Sequence, residues 1–150
     1  PGNVDDPKRL SNILLTLSNL EEIVLFPVHP RTRERISEFK LSRVVETQPF
    51  KCVPPFGYCE MLVAEANARM ILTDSGGVQK EAYLLSVPCI TLREETEWLE
   101  TVYSGWNVLA GDRLDSVLES ASGRNPIEHP ALFGKGDASQ RIVDALQLVR

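Results

Sequence analysis

Met70-Ile71-Leu72-Thr73-Asp74-Ser75-Gly76-Gly77-Val78-Gln79-Lys80-Glu81-Ala82 changes character in its middle. The first three residues are an apolar run of strand type. Thr73 to Gly77 halts it, and residues of helical pattern follow. A second apolar run, Val87-Pro88-Cys89-Ile90-Thr91-Leu92, stops in the same way, at Arg93 and a set of acids. Strand, glycine-bearing turn, helix and strand in this order make a βαβ unit. Such a unit implies parallel strands with helices packed on their faces.

The same alternation extends in both directions. Upstream, Asp6 suits a helix N-cap and Pro7 the first helical position, with Leu10, Ile13, Leu14 and Leu17 at helical spacing. Ile23 to Val28 is a continuous apolar run, typical of a strand buried on both faces. Arg31 to Phe39 is a polar helix candidate, Val44-Val45-Glu46 a weak strand, Pro54 to Gly57 a turn, and Tyr58 to Ala68 a helix with Met61, Leu62 and Ala66 inward. Downstream, the pattern predicts strand 70–73, helix 76–86, strand 88–92, a short helix over 96–103, and a strand at Asn107 to Ala110. Leu114, Val117, Leu118 and Ala121 mark another helix, and Asn125-Pro126 and Gly134 to Gly136 mark a loop. Asp137 to Gln140 resembles a capping box opening a last helix, with apolar positions Ile142, Val143, Leu146 and Val149. About five strands alternating with helices predict an α/β fold, a Rossmann-like parallel sheet sandwiched by helices.

Bulk properties limit the function. The 150 residues fit one domain, spanning 1–150, with a real core. A net charge of −5 argues against nucleic-acid or anionic-membrane binding, which needs a basic face. A local nest of donors can still hold a small anion against that global sign. No apolar stretch approaches the roughly 20 residues of a membrane helix, and the opening residues show no secretory signal. Cys52, Cys59 and Cys89 form no CxxC and read as reduced thiols, which predicts a cytoplasmic protein. His29 and His129 lack metal-ligand spacing, so neither a metal nor a cofactor is expected.

Open parallel sheets bind ligands beyond the carboxyl ends of their strands. His29, the run Asp74-Ser75-Gly76-Gly77, and Arg93 all follow predicted strands. A helix starting at Gly76 presents unpaired amides and the positive end of its dipole. Glycine there removes the Cβ that would hold a phosphate away from the backbone. Ser75 can cap the helix or donate its hydroxyl, and Arg93 offers a planar fork. Together they make a diphosphate seat. Glu81 lies just over a turn beyond Gly77, where a carboxylate suits ribose hydroxyls. Each residue also has a plainer reading: a tight turn for Ser75-Gly76-Gly77, a solvated helix residue for Glu81, an ion-pair partner for Arg93, and a loop histidine bonded to backbone for His29. Arg31, Arg33 and Arg35 read as a solvated basic face, Trp98 and Trp106 as packing residues, and Tyr58 as either core or a lid over a base. Coincidence of several groups at strand ends is what favours a site.

The run Leu72 to Ala82, with Val87 to Trp98, Gly105 to Gly111, Asn3 to Leu10, Phe26 to Arg33 and Gly134 to Ile142, resembles the non-hydrolysing UDP-N-acetylglucosamine 2-epimerases along nearly the whole chain. The resemblance implies the C-terminal half of a GT-B fold: two Rossmann-like domains with substrate between them, of which this chain is the nucleotide-binding one. It implies diphosphate on Ser75, Gly76 and Gly77 with Arg93 assisting, ribose on Glu81, and uracil bordered by Tyr58 and Met61. His29 is implied as the catalytic residue facing the diphosphate and the reacting sugar. The implied chemistry is loss of UDP to give a 2-acetamidoglucal, then re-addition after protonation on the other face of C2. The proton-handling carboxylates belong to the N-terminal domain, so this chain alone is expected to be inactive. The expected partners are a UDP-sugar, that N-terminal Rossmann-like domain, and a second copy of the full-length enzyme. A hydrolysing epimerase, a GT-B glycosyltransferase and a non-catalytic UDP-binding module are the alternatives. Two departures stand out. Val28-His29-Pro30-Arg31-Thr32 replaces a frequent Val-His-x-Asn-Pro, and Thr96-Glu97-Trp98-Leu99-Glu100 replaces a frequent Thr-Glu-Arg-Pro-Glu.

Overall fold

Asp6 begins the chain's first element as the sequence predicts: its carboxylate accepts from the amides of Lys8 and Arg9 at 2.8 and 3.2 Å. The computed structural model describes residues 2–121, 126 and 128–147. Asn125 of the expected loop and Val149 of the expected last helix lie outside the described residues. The elements run α1 (Pro7–Ser18), β1 (Val24–Pro27), α2 (Pro30–Glu38), α3 (Ser42–Val45), β2 (Phe50–Val53), α4 (Tyr58–Ala66), β3 (Ile71–Thr73), α5 (Gly76–Leu84), β4 (Cys89–Thr91), α6 (Leu99–Tyr103), β5 (Asn107–Leu109), α7 (Leu114–Ala121) and α8 (Ala138–Gln147).

All strand pairs are parallel. Val24 stands opposite Phe50 in the β1–β2 ladder, and Ile71, Cys89 and Asn107 align across β3, β4 and β5. The hydrogen bonds form a pair and a triplet rather than one five-stranded ladder. One apolar core joins them: Leu10, Leu14, Val28, Phe50, Ile90 and Ala110 belong to a single buried cluster, with Val24, Phe26, Leu72 and Leu92 packed against it. A smaller cluster of Ile71, Ala82, Val87 and Cys89 seats α5 on the triplet, and Val78 and Leu85 pack against it. This is the Rossmann-like α/β arrangement that the alternation predicts.

Three expectations need correction. Val44-Val45-Glu46 is not a strand. Val44 donates back to the Leu41 carbonyl and Glu46 to that of Ser42, closing one helical turn whose valines pack against the main core. Tertiary packing thus overrides their β-propensity. The second strand is Phe50–Val53 instead, hidden in the sequence because Lys51 and Cys52 face solvent and only Phe50 is fully buried. In α4, Ala66 is exposed and Glu65 goes inside. On α8, Ile142, Val143 and Leu146 are 60, 47 and 66% exposed, so its apolar positions do not enter the core. Among the described residues, no helix is long and apolar enough to cross a membrane.

Candidate functional site

The turn from β3 into α5 is built by its own polar side chains. Thr73 Oγ1 accepts from the Ser75 amide at 3.0 Å, and Ser75 Oγ accepts from the Val78 amide at 3.5 Å. Ser75 is therefore the N-cap, as its type and place predict. The Gln79 amide is taken by the Ser75 carbonyl. The amides of Gly76 and Gly77 make no hydrogen bond among the described residues, and they sit at the positive end of the helix dipole.

An anion already lies there. A Cβ built on Gly76 would be 1.9 Å from Glu97 Oε1, so the Glu97 carboxylate rests against the first residue of α5. Its other oxygen pairs with Arg93 Nη1 at 3.3 Å. Arg93 is thus an ion-pair partner, and through Glu97 it is brought to the same helix start as Ser75, Gly76 and Gly77. The Trp98 indole nitrogen is buried with no hydrogen-bond partner among the described residues and would lie 3.4 Å from the same Cβ. At the end of β4, Asn3 ties strand ends together, donating to the Leu92 carbonyl at 2.8 Å and to Asp74 at 3.3 Å.

The loop carrying Glu97 is bolted to α5 from below. Thr96 Oγ1 donates to Gln79 Oε1 at 2.6 Å and accepts from the Trp98 amide. Gln79 also accepts from Asn107 Nδ2, which reaches Thr101 as well, while Thr91 donates to Asn107 Oδ1. Gln79, Thr91, Thr101 and Asn107 are at most 2% exposed. A buried, interlinked polar set of this kind fixes helix, loop and strand in one register. Sequence reading missed it, although polar residues inside apolar strand runs, Thr91 and Asn107, are its signal.

On the far side of α5, Tyr83 stacks on His129 at 4.3 Å and meets Phe133 and Trp106 edge-on. Its hydroxyl donates to the Pro130 carbonyl, and a His129 ring nitrogen lies 2.7 Å from the Tyr83 carbonyl. Lys80 is held over the rings of Trp98 and Phe133 at 4.6 and 4.7 Å. Both tryptophans are packing residues, as expected.

Other anticipated residues stand around this centre. Glu81 is half-buried on α5, four residues past Gly77 and so about 6 Å further along the axis. Met61 is half-buried on α4, which packs against α5, and Tyr58 is 69% exposed at its start. His29 is the exposed N-cap of α2, and its Nδ1 accepts from the Arg31 amide at 3.3 Å. As an acceptor, Nδ1 carries no proton, which leaves Nε2–H as the ring's donor. No described hydrogen bond or ion pair links His29 to the α5 turn. Arg31 and Arg35 are committed to Asp5, whose carboxyl the Arg31 hydrogen bond holds below its ordinary range. Glu65 went unnoticed in the sequence, although it follows Met61 at i+4 on the inward face.

Comparison with known proteins gives this geometry a family. The sequence profile of UDP-N-acetylglucosamine 2-epimerase matches residues 1–147. A UDP-N-acetylglucosamine 2-epimerase homolog of Methanococcus maripaludis is 45% identical over 97% of this chain and 42% of its own length. The UDP-2,3-diacetamido-2,3-dideoxy-D-glucuronate 2-epimerase of Pseudomonas aeruginosa is 41% identical over 96% of this chain and 41% of its own length. The solved UDP-GlcNAc 2-epimerase of Methanocaldococcus jannaschii, in complex with UDP-GlcNAc and UDP, superposes with a TM-score of 0.85 at 40% identity, covering 98% of this chain and 42% of that one. The chain thus spans about two fifths of the length of the relatives it matches. With its sequence matched from end to end of the described fold, the chain belongs to the UDP-N-acetylglucosamine 2-epimerase family.

Proposed function

We propose that residues 1–150 form the C-terminal, UDP-binding half of a two-domain UDP-N-acetylglucosamine 2-epimerase of the non-hydrolysing type. The observation that carries this reading is the Glu97 carboxylate at the start of α5, paired with Arg93. A place that accommodates an oxyanion from the protein suits one from a ligand, and the diphosphate would take it, on the Gly76 and Gly77 amides and Arg93. Ser75 borders that seat, Glu81 accepts from the ribose hydroxyls, and Tyr58 and Met61 flank the base. The relatives differ in the sugar they are named for and share the UDP carrier, which is the part these residues address.

In the proposed reaction, the C2 proton leaves as the C1–O bond to UDP breaks, giving 2-acetamidoglucal and UDP. Protonation from the other face and re-addition of UDP complete the inversion. Negative charge builds on the departing diphosphate, and donors fixed on a helix start stabilise it without reorganising. The groups that move the C2 proton are assigned to the N-terminal domain. Turnover therefore belongs to the joined protein, and this chain alone supplies one wall of the cleft.

The test is UDP binding by calorimetry together with turnover of UDP-N-acetylglucosamine by the chain alone and by the two-domain protein. UDP is expected to bind, and only the two-domain protein to turn over. Loss of a charge-assisted bond costs about 1.5–3 kcal/mol. Glu81→Ala is thus expected to weaken UDP binding roughly tenfold or more. Unchanged affinity in a folded variant removes Glu81 from the site. Release of free N-acetylmannosamine in place of UDP-N-acetylmannosamine would indicate the hydrolysing reaction.

His29 is assigned to the departing diphosphate through Nε2–H. Asparagine is itself a strong N-cap, so His29→Asn keeps the start of α2. In the two-domain protein it is expected to lower kcat about tenfold or more, in the range general for one lost transition-state donor, and KM much less. A change in KM with kcat intact would make His29 a ground-state contact only.

A further inference from the structure

Glu65 is 2% exposed on α4, and neither of its carboxyl oxygens has a hydrogen-bond partner among the described residues. A lone buried carboxylate is costly unless it is paired or takes up a proton. No cation pairs with it among the described residues. The titratable group that acts on it is Glu81, from α5 packed alongside, and Glu65 in turn acts on Cys89 of β4. Burial pushes the Cys89 thiol up to about 12, so Cys89 stays neutral and Glu81 is the charge that Glu65 meets.

We propose that Glu65 is a positioning residue for Glu81: as a neutral acid it leaves a single negative charge on the α4–α5 seam, at the ribose-binding carboxylate, and as an anion it repels that carboxylate and weakens nucleotide binding. The proposal rests on the assignment of Glu81 to ribose. Burial first, and then the charge of Glu81, raise Glu65 from the ordinary 4.5 to about 7, so both forms are populated near neutrality. The folded state keeps a proton that the unfolded chain gives up above about 4.5. Stability therefore falls as pH rises from about 4.5 to about 7 and levels off beyond. Glutamine at position 65 has the shape of the neutral acid and never ionises.

The experiment uses the two-domain protein and UDP-N-acetylglucosamine, whose diester diphosphate keeps its charge over the range studied. Between pH 6 and pH 8.5 the dissociation constant is expected to rise about five- to tenfold, the size of one screened like-charge repulsion. In Glu65→Gln it is expected to stay at the low-pH value throughout, and Glu65→Asp to restore a pH dependence. In ligand-free protein, the Glu65 carboxyl resonance is expected to titrate near 7 and to move down in Glu81→Gln. A pH profile shared by wild type and Glu65→Gln overturns the proposal, as does titration of Glu65 near 4.5; the resonance decides even if a variant fails to fold. If Glu81→Gln shifts Glu65 but leaves affinity unchanged, the ribose assignment fails, and the positioning role with it. If affinity depends on Glu81 and the profiles coincide, the ribose assignment stands and the role of Glu65 falls.

Discussion

Replacing Tyr83 by alanine is expected to destabilise the fold by about 3–5 kcal/mol, the range for truncating a buried aromatic. Tyr83 is 2% exposed and lies between the α5 backbone and the rings of His129, Phe133 and Trp106. Alanine would leave a cavity lined by groups on separate segments, which cannot close in together. For a chain of this size the loss corresponds to a fall in Tm on the order of 10 °C. Tyr83→Phe isolates the hydroxyl, which donates to the Pro130 carbonyl, and is expected to cost about 1 kcal/mol. Denaturant unfolding of both variants separates packing from hydrogen bonding. Equal losses would show that the hydroxyl, not the ring, holds this side of α5.

Gly76→Val is expected to leave the fold nearly intact and to weaken UDP binding by about 100-fold or more. The backbone of Gly76 needs no left-handed conformation, and the atoms a Cβ would strike are Glu97 Oε1 at 1.9 Å and Cδ at 2.9 Å. Glu97 is exposed, so its side chain can swing out, at the expense of its pairing with Arg93. The valine then stands over the amides assigned to the diphosphate. Losing two charge-assisted bonds at about 1.5–3 kcal/mol each gives the stated factor. Calorimetry with UDP and thermal unfolding decide the matter. Wild-type affinity in this variant would take the diphosphate away from the start of α5.

Strongly periodic local signals were legible in the sequence. Asp6-Pro7, the apolar stripe of α1, and the break at Thr73 to Gly77 each carry their own chemistry, and each is in place; the run at β1 is a strand, but not one buried on both faces, since Leu25 is 46% exposed. The failures share a cause. Val44-Val45 became helix and Lys51-Cys52 became strand because cross-chain packing, invisible to a local pattern, decides both. At the site, residue types with intrinsic roles were readable: a serine cap, glycines at a helix start, an arginine beyond a strand. Glu97 against Gly76, Glu65 across the α4–α5 contact from Glu81, and the Gln79–Asn107 network were not. Each is a meeting of side chains from separate segments, which no local pattern displays.

The contacts behind α5 have a bearing on how the chain matures. Tyr83 meets Pro130 and His129 across 47 and 46 residues of sequence. The front of α5, by contrast, is completed by the loop at Thr96, 17 residues from Gln79. Closing the longer loop carries the larger entropic cost, and contacts of that span form late. A ribosome delivers residues in order, so β3, α5 and β4 emerge and can pair while the rear of the helix still faces water. The proposed UDP seat is thus shaped early, by near neighbours. Its rigidity comes last, when residues 128–133 return to cover the back of the helix.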